Sequence, residues 1–476
     1  MAYLNVFINN SNKNPINVNR DTKPVPPGPG IDKWVKEHMV FWYDMSKLVD
    51  TYAENFNDWT KFAGTKCTVT NKSVNITSFN AINSASIYIA TSKKFNGITI
   101  TVDGLLDGQE IAWGYDSNPL VRMPKNGTYT LEPIDSVTEN ISFRSINIVG
   151  ACNITITQLP SGQSVPTNEI LKANPYLQDH SGNDRPLKLN NFLFAAMSGV
   201  GGYDISSTNI LPDRANVTVT DNRIIHITKK LSTTDNMVNI VPANSNPTHK
   251  FKVTGLSDGR QVSLVNRNGG FYTFDNGEHE VTLTYPEGTT SLYNAIGVTG
   301  DIGDMDVTIE FLPKYPNALV TDGVDDYGQI QNLQHGVKVL FYTCNNFRLS
   351  QTLYDQRKIG YDNIQSSYFS IFAGANTIAY NARNVDGITY IDGELNKSII
   401  VDDLLKKKTI ITIVNNSVDS EKTGRPSFFS THNNLGYFAN LAFYNSIGFD
   451  SVPTKETDGF TEQELIDYVL ENLITQ

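Results

Sequence analysis

Cysteine is nearly missing from this chain: Cys67, Cys152 and Cys344 are the only three in 476 residues. They keep no metal-ligand spacing. An odd count without a secretion signal reads as reduced, buried thiols, with a Cys67–Cys152 bridge across one module as the lesser alternative. Charge is sparse as well, at 18% of residues with a formal net of −11. So few Lys and Arg argue against nucleic acid, whose binding rests on neutralising phosphates, and against anionic membrane surfaces. No apolar run approaches the ~20 residues that cross a bilayer, so no membrane insertion is expected. The opening Met1-Ala2-Tyr3-Leu4-Asn5-Val6-Phe7-Ile8 lacks a basic flank and is cut short by Asn9-Asn10-Ser11, unlike a signal peptide. The motifs of catalysis are missing too. There is no Gly-x-Ser-x-Gly, P-loop or Gly-x-Gly-x-x-Gly, and His279-Glu280 has no second His at zinc-protease spacing. The seven histidines show no ligand pattern.

What is present is a repeat. Val102-Asp103-Gly104-Leu105-Leu106-Asp107-Gly108 is answered by Val253-Thr254-Gly255-Leu256-Ser257-Asp258-Gly259. Asn126-Gly127 is answered by Asn276-Gly277, and Ile154-Thr155-Ile156-Thr157-Gln158-Leu159-Pro160 by Val307-Thr308-Ile309-Glu310-Phe311-Leu312-Pro313. A period of about 150 residues is a duplicated domain, not a solenoid unit. Short alternating runs such as Ile98 to Val102, and Ala85, Ile87 and Ile89 on one face, sit between Asp-Gly and Asn-Gly turns. That is hairpin chemistry, and about 100 residues of it reads as a β-sandwich. The fold class expected is all-β, built of multiple sandwiches, with one short C-terminal helix. Thr461 caps that helix, Glu464 completes a capping box, and Leu465, Val469 and Leu470 share a face.

Length suggests about three domains. Residues 1–30 combine a strand-competent tip with the Pro-rich Thr22-to-Gly30 tether, an extended spacer. Tyr3, Leu4, Val6, Phe7 and Ile8 are the residues expected to anchor to a partner by adding a strand to its sheet; a disordered tail is the alternative. Residues 31–57 open folded material, 58–160 form the first module, 161–206 are not duplicated, 207–313 form the second module, and 314–476 complete a third domain.

Few residues point to a site. Asp322, Asp325 and Asp326 offer oxygens for Ca²⁺, against a turn in which Gly323 takes the strained backbone. Asp301, Asp304 and Asp306 form an acidic cluster in the loop that lengthens the second copy. Trp113 and Tyr115 alternate on one strand face, while their counterparts Leu264 and Asn266 are not aromatic. That difference makes the pair a candidate sugar platform, against a local variation of the core. No cofactor beyond calcium is expected.

Leu177-x-Asp179-x-Ser181-Gly182-Asn183, Asp322-Gly323-Val324-Asp325-Asp326-Tyr327, Tyr390-Ile391-Asp392-Gly393 and the aromatic run Leu435 to Tyr444 resemble, in order, strings of the laminin-G/concanavalin-A-like sandwich. Phe41-Trp42-Tyr43-Asp44-Met45-Ser46 resembles an opening strand of that family. The resemblance covers roughly 200 residues and implies that the second module is inserted into a lectin-like host; the opening strand extends the same implication to the first. Glycosidases on such scaffolds set two carboxylates across a cleft, often as Glu-x-Asp-x-x-Glu on one strand. That pattern is lacking here, and Glu462, Glu464 and Asp467 read as a solvated helix face. The combination is similar to virion surface proteins of tailed, crAss-like bacteriophages. The resemblance implies a non-enzymatic head or tail fibre or decoration protein, attached to other virion proteins, homo-oligomeric, and touching a bacterial surface glycan. A polysaccharide depolymerase and a bacterial lectin-like adhesin are the rival readings.

Overall fold

A computed structural model describes residues 30–474 except 92, 116–117, 243–246, 258, 267–269, 286–293, 331–332, 334–335, 347–350, 357–368, 374–377, 380–387, 397–406, 415–425 and 431–437. The chain is all-β, a set of antiparallel sandwiches with a few short helices. It divides into a large unit, His38–Val452, and a small one that joins the described part of Met1–Glu37 to Pro453–Gln476. No described helix is long and apolar enough to cross a membrane.

The small unit pairs two helices. Ile31–His38 buries Trp34, whose ring meets Phe460 edge-on at 5.7 Å. In Glu462–Asn472 the capping box forms as its sequence requires: the Thr461 amide donates to Glu464 at 2.6 Å, and the Glu464 amide donates to Thr461 at 3.3 Å. Leu465, Ile466 and Val469 are buried, so Ile466 rather than Leu470 completes the apolar face. The i, i+1, i+4 spacing of these three is the helical one.

The two repeats have the same strand order. In the first, one sheet runs Gly127–Leu131, Ile98–Asp103, Gly150–Gln158, Ser73–Phe79, Thr65–Val69, and the other Thr60–Lys61, Ala85–Ile89, Ile141–Ile146, Glu110–Tyr115, Pro119–Met123. In the second, Gly277–Thr282, Thr248–Thr254, Gly303–Phe311, Ile224–Lys230 and Ala215–Thr220 take the first set of places. Ile205–Ile210, Val238–Pro242, Asn294–Val298, Val262–Asn266 and Phe271–Phe274 take the second. The repeated letters have a physical reason. Gly104 and Gly255 turn at φ 88° and 86°, and a Cβ there would stand 1.9 and 1.8 Å from the carbonyl oxygens of Asn153 and Asp306. The Asn126 carboxamide then closes the turn, accepting from Leu105 N at 2.8 Å and donating to Leu105 O at 3.1 Å. Asn276 does the same for Leu256, at 3.0 Å each way.

The remaining strands make the host sandwich. Its eight-stranded sheet runs Gly199–Val200, Leu319–Val320, Ala442–Phe449, Val339–Asn345, Thr409–Val414, Ile388–Ile391, Glu394–Asn396, and Met39–Asp44 also pairs with Ala442–Phe449. The facing seven-stranded sheet includes Tyr176–Leu177, Leu187–Asn190, Tyr327–Ile330, Ser427–Phe428 and Gln351–Gln356. Phe428 lies at the centre of the packing, within 5.1–6.1 Å of the rings of Phe41, Tyr43, Tyr342, Tyr354 and Phe443.

Because Met39–Asp44 belongs to the host, both modules are insertions. The first leaves through Val49–Thr51 and returns through Gly162–Ser164, which pair with each other. The second leaves after Gly199–Val200, which pairs with Leu319–Val320 beyond the return. At the junction Lys314 N donates to Gly202 O at 2.9 Å and Tyr315 N to Gly201 O at 2.8 Å. The module boundaries shift by two residues. Phe56 already packs in the first module's core, and Ile205 begins the second's opening strand.

The duplication serves as an internal control. Phe79, paired with Gly150, fills the first core; at the same place Lys230, paired with Gly303, is fully buried in the second. Its ammonium donates to Val298 O at 2.9 Å and to the Asp235 carboxylate. Removing one partner of a buried pair strands the other charge. Asp235→Ala is therefore expected to cost the second module about 3–5 kcal/mol. Adding Lys230→Phe, the first copy's solution, is expected to recover most of it. Hydrogen exchange of the Asn294–Val298 amides reads this out, and equal protection in all three proteins contradicts it.

Candidate functional site

Trp113 is a core residue. It is 1% exposed, stacked on Trp59 at 5.4 Å and tilted against Phe95 at 5.0 Å and Phe143 at 4.8 Å. A ring with no open face cannot carry a sugar, so the platform expected of Trp113 and Tyr115 is corrected. Alternation put the pair on one face, but that face looks between the sheets. Leu264, its counterpart, is buried in the same way. Tyr115 is half-buried against the same core.

Asp322, Asp325 and Asp326 do converge, with carboxylate oxygens within 4.8 Å of one another. Their oxygens serve a turn. Asp326 accepts from Ser198 Oγ at 3.0 Å and from Asp322 N at 3.0 Å, and Asp322 accepts from Val324 N at 2.8 Å. Gly323 takes φ 77° between them. Burial, with Asp322 alongside, pushes the Asp326 carboxyl up to about 7. Asp304 and Asp306 lie on a strand and not in a loop, where they face outward and pair with Lys229 at 3.1 Å and His226 at 2.7 Å. All three cysteines are free. Tyr3, Leu4, Val6, Phe7 and Ile8 lie outside the described residues.

A larger opening lies elsewhere, at the root of the first module. A cleft of about 730 Å³ lies between the Val49–Thr51 strand and Tyr52 on one side, the module's Val69-to-Ser73 turn on another, and the host segment Asn174 to Pro186. Ligand clefts commonly span ~300–1,000 Å³. Its floor is rigid. Asp179 accepts four hydrogen bonds, from Trp42 N (2.9 Å), Ser181 N (2.9 Å), Ser181 Oγ (2.8 Å) and Arg185 N (3.1 Å). Asn183 reaches Met39 O at 2.7 Å, and Gln178 Oε1 accepts from Asp50 N at 3.0 Å. Other groups are free. The hydroxyls of Tyr52 and Tyr176 have no partner among the described residues, and Asn174 Oδ1 is a buried acceptor without one. Burial raises both phenols above their ordinary range, helped at Tyr52 by Asp50 and Asp184.

A smaller cavity of about 250 Å³ marks the second module's root. Its charges are already paired, Lys314 with Asp204 at 3.5 Å and Lys250 with Glu280 at 3.1 Å. His249 lines it, 2% exposed and with no partner at Nε2, where the first module has Ile98. Sequence reasoning missed Tyr52, Asn174 and Tyr176, which come from segments on either side of an insertion; only the neighbouring Leu177-to-Asn183 string drew notice. In comparisons with known proteins, no family model and no curated protein matches the chain.

Burial pushes the His249 imidazole down to about 4, against the pull of Asp204. Below about 6.5 the unfolded chain takes up a proton that the folded chain refuses until about 4. Stability of the second module is therefore expected to fall by about 3 kcal/mol as pH drops through that window. His249→Ile is expected to abolish its share of this decline. Hydrogen exchange of the Thr248–Thr254 strand between pH 4 and 7, corrected for intrinsic rates, checks it; the same pH response in both proteins refutes it.

Proposed function

We propose that the chain is a non-catalytic attachment protein of a tailed-bacteriophage virion, a head or tail fibre or decoration component that displays its sandwiches to a bacterial surface glycan. The observation that carries the display half is the pair of insertions: two copies of one sandwich, each leaving and rejoining the host through paired backbone. Such roots hold a module at a fixed place while adding no reactive group of their own. The carboxylates support a holding role, because Asp179 is spent on four backbone and serine donors and Asp326 on a turn. The virion half rests on the strings that resemble fibre-borne lectin-like domains. Anchorage falls to Tyr3, Leu4, Val6, Phe7 and Ile8 at the end of the Pro-rich tether, and copies assembled together multiply a weak contact.

Antibody labelling of purified particles is expected to mark this protein on head or tail, and a chain lacking residues 1–30 is expected to leave the particle bare. Assembly of the truncated chain onto particles at normal occupancy contradicts the anchoring. The full chain incubated with host capsule is expected to release no oligosaccharide; soluble fragments in the supernatant would make it a depolymerase.

A further inference from the structure

The cleft at the first module's root has an unusual inventory. Two tyrosines line it, each half-buried with an unspent hydroxyl. Its lining includes the carboxamide residues Asn57 and Asn71 from the module and Asn174 and Gln178 from the host. Formal charge nearly cancels. Asp50 and Asp184 stand against Lys72 and Arg185, and the remaining acid, Asp179, is saturated by backbone and serine donors.

Each candidate ligand class makes a demand. A polyphosphate needs an excess of cations, which Lys72 and Arg185 do not provide over Asp50 and Asp184; Arg185 Nη1 is also held on Val40 O at 3.1 Å. A divalent ion needs converging carboxylates, and among the described residues the one such group is the Asp322 turn, outside this cleft. An apolar ligand would leave the carboxamides and phenols dry. A neutral sugar chain meets the inventory: its hydroxyls both donate and accept, as carboxamides require, and its C–H faces lie against tyrosine rings. The volume admits several sugar residues instead of one.

We propose that this cleft binds a neutral oligosaccharide, with Tyr52 and Tyr176 as stacking faces and Asn71, Asn174 and Gln178 as hydrogen-bonding groups. The site exists only because the first module is inserted. Its walls are the module's Val69-to-Ser73 turn and the host's Asn174-to-Pro186 segment, and the paired Val49–Thr51 and Gly162–Ser164 strands fix the gap. Among the described residues, the second copy's root holds instead the smaller, charge-paired cavity around His249. This proposal rests on the attachment reading for its biological meaning but not for its chemistry.

The test uses the full chain on an array of neutral glucose, mannose, galactose and N-acetylglucosamine oligosaccharides, with sialylated and sulfated chains as the acidic comparison. Binding to at least one neutral series is expected, with little response from the acidic ones. Tyr176→Ala and Tyr52→Ala are each expected to weaken it about tenfold or more. Tyr176→Phe, which keeps the ring and loses the hydroxyl, is expected to fall between. Tyr272→Ala, on the exposed edge strand of the second module, is expected to bind as the parent does. Melting curves matching the parent's separate lost contact from lost fold; if an alanine variant fails that control, Asn71→Ala on the module's turn takes its place. Absence of neutral-glycan binding, or binding that survives both tyrosine substitutions, overturns the site. A protein found on particles that binds no neutral glycan sinks this inference and leaves attachment standing; cleft binding by a protein absent from particles does the reverse.

Discussion

Met39–Asp44 pairs in an antiparallel ladder with Ala442–Phe449, and on that contact the host sandwich depends. The strand supplies Phe41 and Tyr43 to the central aromatic packing around Phe428, while the buried Asp44 carboxylate accepts from Asn445 at 3.0 Å. A pairing across some 400 residues would be implausible if the cost of closing a loop grew in proportion to its length. It grows logarithmically instead, by about 0.6 kcal/mol per doubling. Two modules can thus sit inside the loop at little thermodynamic expense, provided that each folds on local contacts and brings its ends together. Paired roots satisfy that proviso.

The roots also explain why chemistry collects at the junctions. Inside each sandwich the facing sheets fill their space with side chains, as Trp113 and Lys230 both illustrate in different ways. Gaps large enough for a ligand arise where two independently closed cores abut. There, polar loop residues from both bodies meet without a shared packing rule. At one junction the opposing charges pair off and nearly close the space; at the other, amides and phenols remain unspent. The same insertion device therefore has two outcomes, set by a few residues at each root.

Much of the fold was legible because the repeated letters are the ones backbone geometry demands. Gly104 and Gly255 recur since no side chain fits beside a neighbouring carbonyl, and Asn126 and Asn276 recur since each closes a turn. The Leu177-to-Asn183 string was visible for a similar reason, with Asp179 and Asn183 tying a loop to the opening strand. Alternation located Trp113 on the correct face but could not say which face was wet, because both faces of a sandwich strand obey the same period of two. Asp304 and Asp306 were placed in a loop when they alternate outward on a strand, for charge at every second residue reads equally well as either. The cleft was illegible altogether. Tyr52, Asn71 and Tyr176 share no spacing, and only the return of the chain after a hundred-residue excursion sets them side by side.

The opening strand's distant partner has a consequence for biosynthesis. At ~5–20 residues per second, translation leaves Met39–Asp44 unmatched for roughly 20–80 s before Ala442–Phe449 emerges. Throughout that interval a ribbon carrying Val40, Phe41 and Tyr43 offers bare amides and carbonyls to any passing nascent chain. The modules, complete within their own stretches of sequence, can fold early, before the strand's partner has been made.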